Sequence, residues 1–148
     1  EELKQKLFDD LFLSKFNIYG AKNRLDKSIG VELFFQKDVI SYNISFEANQ
    51  NNQIEIWILV SNHIEYPDLD MDRDVEKIIR VHAPNEKDHL AKCFPFASMI
   101  QEVEKKVAHV QDIQYSVQTI YRILVDVTRD NFLDVREKIR AGLILLRK

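Results

Sequence analysis

From Val39 to Glu47 the chain alternates strictly, with Ile40, Tyr42, Ile44 and Phe46 on one side and Ser41, Asn43 and Ser45 on the other. A period of two belongs to a half-buried antiparallel strand. Ile54–Val60 repeats the pattern: Ile54, Ile56, Ile58 and Val60 share one face, while Glu55, Trp57 and Leu59 take the other. Val31, Leu33 and Phe35 alternate within Ile29–Phe35, and the polar, Asn-rich run 48–53 is a turn by composition. These segments predict a three-stranded antiparallel meander. Val75–Val81 fits either a fourth strand or a short helix.

Elsewhere the spacing lengthens. Leu3, Leu7, Leu11, Phe8 and Phe12 place a helix over 1–16, and Phe16–Tyr19 leads from it towards strand structure. Beyond Pro84 and Pro95, the residues Ile100, Val103, Val107, Val110, Gln114, Val117, Tyr121 and Leu124 recur at threes and fours. That is close to a heptad seam. Ile113, Ile120 and Val127 widen the stripe, which favours packing on a sheet over a two-stranded coiled coil. The expectation is one helix over 97–128, about 48 Å long at roughly 1.5 Å per residue. Asp130 or Asn131 then caps a last helix carrying Phe132, Val135, Ile139, Leu143 and Leu146 along one side.

Composition narrows the classes. The 148 residues, 45% apolar and 30% charged, are the size and balance of one globular domain. A single cysteine, Cys93, excludes an internal disulfide framework and any Cys-rich zinc site, and fits a reducing compartment, nuclear or cytoplasmic. The net charge of −3 argues against nucleic acid as a partner. No apolar run is long enough for a membrane helix. The three glycines, Gly20, Gly30 and Gly142, stand apart, so a phosphate-cradling loop is not expected, and no G-x-S-x-G is present. A start at Glu1-Glu2 without methionine suggests a piece of a longer protein.

Four places could carry chemistry. In "IEYPDLDMDRD" (64–74) an EF-hand register from Asp68 puts Arg73 and Ile79 where glycine and glutamate are needed, and a register from Asp70 puts Val75 and Val81 there. Residues 65–76 hold six acids and one base, which reads as a solvated acidic loop or a docking surface for a basic partner. His82, His89 and Cys93 are three N/S donors where zinc wants four. Cys93 with His82 or His89, beside Asp88, is the one nucleophile pairing to weigh. Trp57 is either covered by the long helix or an aromatic anchor for a partner. In 130–148 five bases oppose three acids, and the apolar residues Ile139, Leu143 and Leu146 either pack the core or form a docking helix.

The order of elements, with Tyr66-Pro67 after the strand at 54–60, resembles the RWD fold, although the further prolines of its signature are missing here. "LFDDLFLSKFNIYGA" (7–21) is similar to the start of RWD modules in the outer-kinetochore scaffold, with Phe16 as the linking aromatic. The resemblance implies a non-catalytic docking module that binds other protein subunits and often follows a coiled coil.

The expected protein is therefore a single α+β domain over 1–148: an N-terminal helix, a three- to four-stranded antiparallel meander, a long covering helix, and a C-terminal helix at 130–148 that packs or docks. Its expected function is protein–protein interaction within a larger assembly, through Trp57, Ile139, Leu143 and Leu146. No metal, cofactor, nucleic acid, membrane or small-molecule substrate is expected. The alternatives are a small intracellular enzyme using Cys93 with His82 or His89, and a homodimeric acidic chaperone or adaptor.

Overall fold

A computed structural model describes residues 22–26, 30–48, 51–128 and 130–148. The helix expected over 1–16 and the segment 16–19 lie outside the described residues.

Four consecutive strands form an antiparallel meander: β1 (Lys22–Asp26), β2 (Gly30–Lys37), β3 (Ile40–Ala48) and β4 (Gln53–Glu65). The alternation in the sequence sets the register. Tyr42 faces Val60, Ile44 faces Ile58 and Phe46 faces Ile56, so the apolar sets of β3 and β4 share one side of the sheet. β4 runs on through 61–65, past the apolar stretch, because it is paired along its whole length with a later strand. The turns use Asp38 (φ 57°) and Asn52 (φ 58°), residues whose short polar side chains tolerate the left-handed region better than most.

The segment Val75–Val81 is helical: α1 spans Val75–His82 and turns Ile78 inward. A second short helix, α2 (Lys87–Cys93), buries Leu90 and Cys93.

The long helix expected over 97–128 is corrected. The chain instead forms a hairpin of β5 (Met99–Gln111) and β6 (Gln114–Asp126), turning at Asp112-Ile113. Val, Ile and Thr supply ten of the 28 residues from 99 to 126, and their branched side chains disfavour helix and suit a pleated surface. Within the stripe at threes and fours lies a cleaner period of two: Val117, Thr119, Tyr121, Ile123 and Val125 are all buried.

The full sheet has the order β1-β2-β3-β4-β6-β5. β4 passes through α1 and α2 to β5 at the far edge, and β6 returns to fill the gap between them. This is a split β-α-β arrangement grafted onto a meander.

A last helix, α3 (Phe132–Arg147), starts at the Asn131 cap position. The Asn131 side chain accepts the Thr128 amide at 2.6 Å and so braces the turn ahead of the helix. Val135, Ile139, Leu143 and Leu146 of α3 join Leu90, Cys93 and Phe94 in one core with the inner residues of β3, β4 and β6. The described helices thus share one face of the sheet, giving two layers. The architecture is α+β with an antiparallel sheet and three described helices.

Polar contacts fix the linker between α1 and α2 to the sheet. Thr119 Oγ1 donates to the Pro84 carbonyl at 2.7 Å, and the Tyr121 hydroxyl accepts the Glu86 amide at 2.8 Å. The Tyr42 hydroxyl donates to the Glu86 carboxylate, and Asn62 donates to the His82 carbonyl at 3.0 Å. Burial, with Glu86 adding to it, pushes the Tyr42 hydroxyl well above the usual tyrosine range.

Candidate functional site

β-Pleating sends the odd-numbered residues of β4 and the even-numbered residues of β6 to the side opposite the helices. Across that outer face Leu59 is paired with Ile120, Trp57 with Arg122 and Glu55 with Leu124. β5 continues the rows, with Met99 beside Leu124 and Glu104 beside Ile120. The result is a strip of Leu59, Trp57, Ile120, Leu124 and Met99 across three strands, interrupted by Arg122 and Gln101, in which Met99 is exposed, Leu59, Trp57 and Ile120 are half-buried and Leu124 is 8% exposed. Among the described residues, no helix packs on it.

Trp57 is held in place at the centre of this strip. Its indole N–H donates to Glu55 Oε1 at 3.1 Å. Arg122 grips the same carboxylate through two N–H groups at 3.1 and 3.2 Å, and its guanidinium lies 5.8 Å from the indole centroid. Glu55 is 8% exposed, and its hydrogen bonds raise the Arg122 pKa further above its ordinary value. Aromatic, cation and acid therefore form one rigid unit with an apolar rim. Of the two readings open for Trp57, cover by a long helix falls with the helix itself.

Ile139, Leu143 and Leu146 stand elsewhere. Their exposures are 0, 2 and 0%, all within the core. A partner could reach them only by lifting α3 off the sheet, so their place as an exposed docking row is corrected to core packing. Their spacing is the same in either role, and the sheet they cover decides between them.

The acidic loop resolves into a local fold. Asp70 Oδ1 accepts the Asp72 amide at 3.0 Å, and Asp74 Oδ2 accepts the Asp70 amide at 3.2 Å. Asp74 also pairs with Arg73, which together with the Asp70 amide holds its carboxyl below the usual carboxylate range. The carboxylates thus organise the turn leading into α1. The Tyr66 amide donates to the Ile113 carbonyl at 2.8 Å, tying the Tyr-Pro turn to the tip of the β5–β6 hairpin. Among the described residues, no three His, Cys, Asp or Glu side chains converge as metal ligands.

Cys93 is buried at 3% exposure, and desolvation raises its thiol pKa, with Glu86 adding to the effect. Both work against the thiolate that nucleophilic chemistry needs. His89, one helical turn earlier, has a buried Nε2 without a hydrogen-bond partner. His82 contributes its backbone carbonyl to Asn62. A shallow cleft at the hairpin end, lined by His63, Ile64, Glu65, Val110, Gln114 and Tyr115, holds one imidazole and one carboxylate. His63 Nε2 there lies 3.2 Å from Ser41 Oγ.

Met99, Ile120, Arg122 and Leu124 are not visible as a site in the sequence, because their spacing at threes and fours also fits a helix. The signal that could have found them is the even-numbered row Ile120–Arg122–Leu124, which alternates with the core row. Compared with protein families, curated proteins and solved structures, the chain matches none.

Proposed function

We propose that this chain is a non-catalytic protein–protein interaction domain that docks through the outer face of its sheet. The observation that carries this reading is the strip Leu59–Trp57–Ile120–Leu124–Met99, set opposite the helical layer and centred on an immobilised tryptophan. Fixed aromatic anchors ringed by apolar contacts concentrate binding energy, because little rotamer entropy remains to be lost on association. The buried, raised thiol of Cys93 weighs against the enzyme alternative.

The RWD resemblance adds a Tyr-Pro turn after an antiparallel meander, followed by helices on one face. The assembly it suggests is a kinetochore-type scaffold, in the nucleus or cytoplasm. The part of it resting on residues 7–21 lies outside the described residues.

The test compares proteins captured from a dividing-cell extract by the native chain and by a Leu59→Thr/Ile120→Thr variant. Threonine keeps the strand preference of both positions while removing apolar contact. The expected outcome is a variant of native melting temperature that has lost the captured proteins. Identical capture by both chains would reject the docking face.

A further inference from the structure

We infer that the partner segment seated on the outer face is an amphipathic helix with lysine or arginine flanking its apolar row. The inference rests on the docking function proposed above and names its ligand chemistry. It is carried by the charges around the apolar strip. Glu104 lies beside Ile120 across the β5–β6 ladder, Glu47 lies opposite Glu55, and Asp126 lies two residues beyond Leu124. Arg122 is engaged with Glu55 and Trp57. Among the described side chains of β3 to β6 around the strip, the acids Glu47, Glu55, Glu104 and Asp126 face the bases Arg122 and Lys106, with Arg122 near Glu47 as well as Glu55 and Asp126 accepting the Gln53 side-chain amide at 2.9 Å. The rim is acidic, and a basic flank complements it.

The same charges argue against a second copy as the occupant. Two outer faces stacked on each other would place acidic rims together around a small apolar strip, and like charges at an interface are costly. Strand addition at the β5 edge is opposed on separate grounds. Its ladder is irregular between Glu102 and Glu104 and again between His109 and Gln111. Glu102, Glu104, Lys105 and Lys106 crowd the segment between, and bulges and charges of this kind block edge pairing. What the outer face offers is a row of apolar side chains on a pleated surface. On the inner face the same surface is covered by helices, the packing that joins an apolar helical stripe to a sheet.

Trp57, the single tryptophan of the chain, reports on the site directly. The experiment titrates the full chain with a synthetic amphipathic Leu/Lys helix and with its Leu/Glu counterpart, following Trp57 emission. The Leu/Lys peptide is expected to shift the emission and bind more weakly as salt rises. Its affinity should fall about tenfold in a Glu104→Lys/Asp126→Lys variant, as loss of complementary rim charges requires. Both substitutions lie on exposed positions, so the fold is retained, and a melting curve verifies it.

Equal binding of the Leu/Glu peptide, or no change of affinity on charge reversal, would overturn the basic partner while leaving the docking face standing. A concentration-dependent dimer in light scattering, lost in Leu59→Thr/Ile120→Thr, would overturn it in favour of a second copy. If neither peptide moves the emission and the threonine variant still captures the native set of proteins, the docking face falls as well.

Discussion

Gly142 shows how one residue type can be dictated by what passes beside it. A glycine inside a helix costs about 1 kcal/mol relative to alanine, so propensity recommends replacing it. A Cβ at this position would lie 2.6 Å from the Cys93 carbonyl oxygen and 2.7 Å from Phe94 Cε1. Backbone and a packed ring cannot both retreat, so overpacking of about 1–3 kcal/mol outweighs the propensity gain. Gly142→Ala is expected to lower the urea midpoint, and a midpoint at or above the native one would show that α2 and α3 do not meet as described. The sequence exposed the penalty at Gly142 but not its cause, because Cys93 and Phe94 are brought there only by the tertiary fold.

Elements with a single reading were legible. β3 and β4 carry unbroken alternation over their apolar runs, and α3 carries its stripe, with Asn131 at the cap position but no side-chain bond from it into the first turn. The β5–β6 hairpin was not legible. Its apolar residues satisfy two periods at once, and its turn lacks the glycine that usually marks a tight hairpin. Asp112 takes φ 46° in that turn, a conformation its side chain tolerates without announcing it. With the hairpin hidden, most of the candidate site is hidden too, since Ile120, Arg122, Leu124 and Met99 all lie on it. Trp57 stands out in the sequence because the alternation over 54–60 is unambiguous, although the strand itself runs on to Glu65.

Strand and helix predict different exchange patterns. β6 has neighbours on both sides, so its amides are protected along its length. At the edge, β5 bonds on one side, so protection should alternate along 104–109, where its register is regular. Amide exchange followed by NMR checks this, and unbroken protection through 104–118 with no break at the turn would restore the helix.

For the molecule as a whole, stability rests on two layers held together by apolar packing and by the clamp on the α1–α2 linker. Tyr42, Tyr121 and Cys93 all sit where burial raises their pKa in the folded state. Unfolding returns them to ordinary values, where they ionise first. The stability they provide is therefore intact below those ordinary values, 9.0 for the thiol and 10.0 for the tyrosines, and is lost as pH climbs towards the folded ones. Melting temperature is expected to decline steadily above about pH 9. Tyr42→Phe should lose the Glu86 bond at neutral pH yet show a shallower alkaline decline. An unchanged slope would remove Tyr42 as a main cause.

The interleaved strand order also sets a timetable for synthesis. The first four described strands can zip together as the chain emerges, because each neighbours the one before. β4 then waits with one flank open while two helices and β5 are made, and only β6 can close it. Until residue 126 has left the ribosome, a strand with an isoleucine-rich run has an unprotected side, a template for association with another chain. A polypeptide arrested before Gln114 would keep that flank open permanently. The closing quarter of the chain, from Gln114 on, therefore acts as the stopper that makes the earlier part safe to release.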